Sequence, residues 1–435
     1  MKPDRMKEES KINLNELRAA EAKLLVPTYD RNAVVFERGE GVYLFDNHGD
    51  RYLDLLSGIG VNALGYAHPA IEKAIHEQSR KLIHTSNLYF HAGQAELAMR
   101  LTARSGLDRV FFANTGTEAW EGAMKFARAH AGLLRSEGKE IGTKFLALEQ
   151  SFHGRTYGSV STTHKAKYRE PFGPTLPGVE FVRFNDVADL RAKFSSDVCA
   201  ILLESIQGEG GIRPLSKEFL TTARELTTST GALLVIDEIQ AGLGRTGKWF
   251  AYQHYDVLPD ITTLAKPLAG GIPLGAILCT EEVARAIHPG MHGTTFGGGP
   301  LACAVAIAVI DAIENDGLLE NATTVGGYFM DELRCLQKTH ASILDVRGLG
   351  LMVAAELDSA ELGKLVVKKM MERKILINCT SDTVLRFLPP YILTKAHVDH
   401  AILALDEILH EDLQNRHAFE TSSDSVAHAG GQTRG

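Results

Sequence analysis

Short unbroken apolar runs alternate with longer stretches in which apolar positions recur at helical spacing. The runs are RVFFAN (109–114), KFLALE (144–149), VEFVRF (179–184), VCAILLE (198–204), ALLVIDE (232–238) and GAILCT (275–280). Runs of this length predict strands buried on both faces, and helices over 117–134 and 216–230 would cover them. The expected fold class is α/β: a large three-layer α/β/α domain over 65–310, with a mostly parallel sheet. VYLFDNHGDRYLDL (42–55) alternates and then turns at an Asn-His-Gly-Asp cluster, which predicts a hairpin. Residues 1–64 and a helix-rich stretch with short strands over 311–417 are expected to build a smaller α+β domain from both ends of the chain. Residues 1–20 are polar and helix-tolerant, and 418–435, rich in Ser, Gly and Thr, carry too little apolar surface to order themselves; both ends are expected to be mobile.

Composition narrows the classes. The chain has 435 residues, 44% apolar and 23% charged, the balance of a globular protein with room for two domains. A net charge of −8 and the absence of a long basic run argue against nucleic acid and for a small-molecule ligand. Cys199, Cys279, Cys303, Cys335 and Cys379 are scattered and odd in number, so neither a disulfide framework nor a zinc site is expected. His288 and His292 lie four apart, but Pro289 and Gly290 between them disfavour a helix, and no metal is expected. The N-terminus is charged where a signal peptide needs an apolar core, and no run has the length of a membrane span, so a cytoplasmic location is expected.

Candidate chemistry begins at LLVIDEIQAGLGRTG (233–247), where a strand runs into Asp237 and Glu238 and then a glycine-rich turn. Ligands of open α/β sheets bind beyond the carboxyl ends of strands, so Asp237 is either a site acid or a cap of the next element. In LAKPLAGGIPLGA, Lys266 follows an apolar run and precedes Gly270-Gly271. Burial lowers an amine's pKa and makes it nucleophilic toward an aldehyde, as Schiff-base formation requires, although most lysines are solvated surface charges. Asn114, Thr115, Gly116 and Thr117 lie between a strand and a helix, as a phosphate cradle or as an N-cap with Thr117 and Glu121. SFHGRTYGS sets Phe152 and His153 beside Arg155, a cation for a carboxylate or for an ion pair, and His153 reads as structural.

Asp237, Glu238 and Gln240, followed by Lys266, Gly270 and Gly271, make the chain resemble the class III aminotransferases of pyridoxal-phosphate fold type I, from about Pro27 to Glu411. The resemblance implies pyridoxal 5′-phosphate as cofactor, bound through Lys266, with Asp237 on the pyridine nitrogen, Glu238 beside it, Gln240 near the phenolic oxygen, Phe152 stacked on the ring and Gly116 and Thr117 on the phosphate. It implies that Arg155 binds the substrate α-carboxylate and that Glu209 of IQGEGG gates Arg386 of TVLRFLPP for a second carboxylate; a plain salt bridge is the alternative. In a homodimer with shared sites, Thr295 of MHGTTFGGGP would reach the partner's phosphate and Thr294 the substrate. Trp120 and Gly299 depart from the family's more usual Asn at both places, leaving the packing at one and any side-chain contact at the other in question. SNLYF (86–90), with Arg155 and the HGTTFGG loop, resembles the branch that acts on acylated ornithine. That implies transfer of the δ-amino group of N-acetylornithine to 2-oxoglutarate, giving N-acetylglutamate semialdehyde and glutamate, within arginine biosynthesis. Succinylornithine, ornithine, 4-aminobutyrate and acylated lysine precursors remain alternative donors, and an aminomutase or a non-catalytic homodimer binding the same cofactor are the rival readings.

Overall fold

All seven residues of the strand Val198–Glu204 are buried, and from Ala200 to Leu203 they alternate between two faces. Ala200 and Leu202 pack with Phe145, Ala147 and Val235, whereas Ile201 and Leu203 pack with Leu146, Leu148 and Ile236. Successive strand residues point to opposite faces, so a sheet with two apolar faces needs two covers. Helix Gly116–Ser136 covers one face through Ala119, Trp120, Ala123, Phe126 and Ala127. Helices Lys217–Thr230 and Pro300–Asn315 cover the other. The first of these starts at a Ser216 side-chain cap and stops at Gly231, whose φ of 80° suits a residue without Cβ. The expected three-layer α/β/α arrangement is therefore present in the computed structural model, which describes residues 13–429.

The main sheet has seven strands in the order Arg109–Ala113, Gly275–Cys279, Ile261–Leu264, Leu233–Asp237, Val198–Glu204, Lys144–Leu148 and Val179–Val182. Only Gly275–Cys279 runs antiparallel to its neighbours. Six of the strands are the six apolar runs. The seventh, Ile261–Leu264, escapes the pattern because Thr262 and Thr263 occupy its middle; both are fully buried, and Thr262 Oγ1 donates to the Ile236 carbonyl at 2.8 Å.

Tyr43–Asp46 and Arg51–Asp54 form the predicted antiparallel hairpin, and Asp46 accepts the turn N–H groups of His48 and Asp50. Phe36–Glu40 flanks it on one side, and Ile375–Leu376, from far along the chain, adds in parallel to Arg51–Asp54 on the other. A separate antiparallel sheet runs Ile343–Leu349, Met352–Leu357, Val384–Phe387, Asn378–Thr380 and carries Arg386. The last helix, Lys395–Ala429, extends through most of the stretch expected to lack order. A helix already nucleated on packed turns propagates at small cost per residue, which composition alone does not register. Residues 430–435 of that stretch, and 1–12 of the polar N-terminus, lie outside the described residues. Among the described residues no helix is long and apolar enough to cross a membrane.

Candidate active site

The carboxyl ends of the parallel strands open onto one cavity of about 340 Å³. Its walls come from Thr115, Gly116 and Thr117 after one strand, Phe152 and His153 after another, Glu204 and Glu209, Asp237 and Gln240, and Lys266. This is the edge at which doubly covered sheets place ligands.

Lys266 follows the strand Ile261–Leu264 with a φ of +25°, unfavourable for a side-chain-bearing residue. Such strain persists where the surroundings over-determine it. Here Pro267 follows at once, and the turn closes at Gly270, where an added Cβ would come within 2.4 Å of Ile71. Burial pulls the Lys266 ammonium below the usual lysine range, against the opposing charges of Asp237 and Glu209. Within 4 Å no described acid pairs with it.

Asp237, only 6% exposed, is held from three directions. His153 Nδ1 lies 2.8 Å from its Oδ2, the Ile239 N–H donates to Oδ1 at 3.0 Å, and Thr263 Oγ1 is at 3.4 Å. An ionised Asp237 can only accept, which assigns the Nδ1 proton to His153. The imidazole lies flat on Trp120, with centroids 3.9 Å and planes 7° apart, and Trp120 Nε1 donates to Thr162 Oγ1 at 2.9 Å. His153, read from the sequence as structural, is thus the group that orients Asp237, and Trp120 is its platform. Trp120→Ala is expected to cost about 3–5 kcal/mol of stability, read by chemical denaturation, because the ring is fully buried.

Glu238 departs from the expected cofactor set. Its neighbour Asp237 faces the cavity, so period-two alternation turns Glu238 away. There it is fully buried and accepts the N–H groups of Ala251 (2.9 Å) and Tyr252 (3.0 Å), capping the turn Ala251–His254. Burial pushes its carboxyl up to about 7. Glu204, which no sequence signal singled out, does line the cavity and accepts the N–H groups of Phe152 (3.0 Å) and Gly208 (2.9 Å).

The helix Gly116–Ser136 is capped at Thr115, whose Oγ1 accepts from Glu118 N–H, while Glu118 accepts from Asn114 N–H at 2.7 Å. The cap is therefore two residues earlier than the Thr117–Glu121 pairing expected. Thr117 Oγ1 instead meets Thr156 (2.7 Å) and Ser159 (2.8 Å). This arrangement leaves the first-turn N–H groups of Gly116 and Thr117 at the cavity wall, where an anion would be stabilised. Gln240 Oε1 is buried at the same cavity without a hydrogen-bond partner. A polar group in that state is costly unless a ligand or water meets it.

The groups expected to bind substrate are spread more widely. Glu209 lines the cavity and pairs with Arg386 at 2.5 Å; Arg386 is 1% exposed and also donates to Asn378 Oδ1 at 3.1 Å. Burial alone would raise the Glu209 carboxyl, but Arg386, and then Lys266, hold it below the usual range. Arg155 is exposed, lies outside the cavity wall and forms no ion pair among the described residues; its guanidinium sits 3.7 Å above the Tyr168 ring. Thr294 Oγ1 accepts from Asn114 Nδ2 at 3.0 Å, whereas Thr295 is exposed and outside this chain's own cavity.

A buried amine and a braced carboxylate facing one cavity, beside the start of a helix, suit a phosphorylated, carbonyl-bearing group in an α/β enzyme. The chain belongs to the class III aminotransferases: the family model "Aminotransferase class-III" matches residues 26–409. It is 47% identical to the acetylornithine aminotransferase of Methanocaldococcus jannaschii, across 90% of this chain and 97% of that one. The ornithine aminotransferase of Toxoplasma gondii, in which PLP partly occupies the active site, superposes with a TM-score of 0.88 at 32% identity, covering 93% and 96% of the two chains. The acetylornithine aminotransferase of Elizabethkingia anophelis gives 0.81 at 31%, covering 92% and 100%. The three-layer domain and its mixed, mostly parallel sheet are those of fold type I.

Proposed function

We propose that the cavity holds pyridoxal 5′-phosphate and that the protein passes the δ-amino group of N-acetylornithine to 2-oxoglutarate, yielding N-acetylglutamate semialdehyde and glutamate, a step of arginine biosynthesis. The observation that carries this is the placing of Lys266 and the His153-braced Asp237 on one cavity. The bound cofactor supplies the electron sink that makes a substrate C–H acidic. Lys266 would anchor the cofactor and, when free, its Nζ would move a proton. A depressed amine pKa gives that atom an unprotonated form to do so. Asp237 would keep a proton on the ring nitrogen, Phe152 would cover the ring, Gln240 would offer its amide to the phenolic oxygen, and the Gly116 and Thr117 N–H groups would hold the phosphate.

Glu209 neutralises Arg386 while the amino donor is bound and yields it to the second carboxylate of 2-oxoglutarate. Arg155, with no ion pair among the described residues, takes the donor's α-carboxylate. Arg155→Ala is expected to raise KM for N-acetylornithine by roughly tenfold or more, from loss of a charged hydrogen bond of about 1.5–3 kcal/mol, and to leave KM for a donor without that carboxylate nearly unchanged. Steady-state assays on both donors check this, and equal effects would remove Arg155 from the site. We place the working unit as a homodimer with shared sites: Phe296 and the segment with Leu88, Tyr89 and Phe90 are exposed, and Asn87 ties that segment to the 294–297 loop.

The decisive test is the half-reaction, in which N-acetylornithine, succinylornithine, ornithine and 4-aminobutyrate are added separately and bleaching of the protein's visible band is timed. Preference for N-acetylornithine supports the proposal. Ornithine is the second reading, favoured by the superposition on an ornithine aminotransferase, and its preference would move the enzyme to another pathway.

A further inference from the structure

Far from the cavity in sequence, the helix Leu318–Thr339 ends against one face of Lys395–Ala429, and three metal-ligating side chains meet there. His340 caps the first helix, is almost completely buried, and sets Nε2 2.6 Å from Asp406 Oδ1. His410, one turn beyond Asp406 on the second helix, brings Nδ1 to 3.1 Å from the same oxygen and 3.0 Å from the Asp406 backbone carbonyl, a contact that a bound ion would replace. The two imidazoles stand edge to face, 4.5 Å apart at 85°. All three ligand atoms lie within 4.8 Å of one another.

Two further observations bear on what this cluster binds. Among the described residues no Lys or Arg lies within 4 Å of Asp406, while the nearby Arg373 and Lys369 are engaged by Glu407 and Glu411 on the same helix. The acid's neighbours are thus two imidazoles and no fixed cation. The cluster is also graded, from His340 inside to a half-exposed His410, so its outer side opens to water.

We propose that His340, Asp406 and His410 form a binding site for a divalent transition metal of the zinc type, with water as the remaining ligand. Two imidazole nitrogens and one carboxylate oxygen suit zinc and its neighbours, and a set with only one oxygen suits magnesium or calcium poorly. Asp406 and His410 lie i to i+4 on one helix face, so the pair is preset, and His340 adds the third ligand from another helix. A bound ion would clamp the last helix to Leu318–Thr339.

The test needs no activity. Cofactor-loaded protein is treated with EDTA, dialysed and titrated with ZnCl2 by calorimetry, beside His410→Ala, Asp406→Asn and Cys335→Ser, the last removing an exposed thiol. The expected result is one saturable Zn2+ per chain, kept in Cys335→Ser and not displaced by excess Mg2+. His410→Ala and Asp406→Asn should weaken it beyond the roughly 10–100-fold that loss of an outer-shell partner costs. Melting temperature should rise with Zn2+ in the unaltered protein and not in those two variants. No saturable binding, or binding unchanged in both variants, would show a hydrogen-bonded His–Asp–His clasp without a metal.

Discussion

Lys266→Ala is expected to abolish transamination while leaving the fold intact. Removing a positioned proton-transfer group costs about 10²–10⁴-fold, and this variant also loses the covalent hold on the cofactor, so kcat should fall by at least the upper end of that range. Because no acid lies within 4 Å of Lys266 among the described residues, its removal strands no buried ion-pair partner, and the cofactor-free protein should melt as the unaltered cofactor-free protein does. Single-turnover kinetics with N-acetylornithine, together with the mass of the borohydride-treated protein, measure the two losses separately. Retained turnover would overturn the mechanism.

The second large effect is expected at Asp237. Asp237→Asn keeps the shape and, through Oδ1, the contact with Ile239 N–H, but it turns an amide NH2 toward His153 Nδ1 and removes the charge that would hold a proton on the ring nitrogen. Loss of one preorganised electrostatic partner costs roughly 10²–10³-fold in kcat. The fall should appear in kcat at saturating donor with KM little changed, since Asp237 sits on the cofactor side and makes no contact assigned to substrate. A change confined to KM would instead place Asp237 among the substrate ligands.

Much of this arrangement was legible in the chain because its physics is local. A strand buried on both faces must be apolar throughout, so six strands of the main sheet stand out, whereas Ile261–Leu264 hides behind two buried threonines that spend their hydroxyls on or near the neighbouring strand. Lys266 and Asp237 stand out because each breaks an apolar run. What was not legible is what depends on distance. His153 and Asp237 lie 84 positions apart, and nothing near either residue names the other. Glu238 was misplaced for a geometric reason: adjacent acids on one strand look alike in sequence but serve opposite faces. The cap at Thr115 rather than Thr117 shows how much two residues matter, since the earlier cap is what leaves the Gly116 and Thr117 amides free for an anion. Of the groups proposed for the substrate side, Arg155 was already a candidate cation for a carboxylate, whereas the pairing of Arg386 with Glu209 was reached only through the family resemblance.

The Glu209–Arg386 contact spans two sheets: Glu209 lies in the turn of the two-stranded ribbon of Ile206–Gln207 and Arg213–Pro214, and Arg386 belongs to the four-stranded antiparallel sheet. The guanidinium therefore serves as a fastener between layers as well as a charge. Any dicarboxylic acceptor that captures Arg386 does so by undoing that fastener, and linkage is reciprocal: whatever loosens the seam between the sheets must strengthen the acceptor's hold, and whatever tightens it must weaken that hold by the same factor. Discrimination between donor and acceptor is then written partly in the cohesion of the protein itself, so substitutions along the seam that never touch a substrate should shift which of the two is favoured.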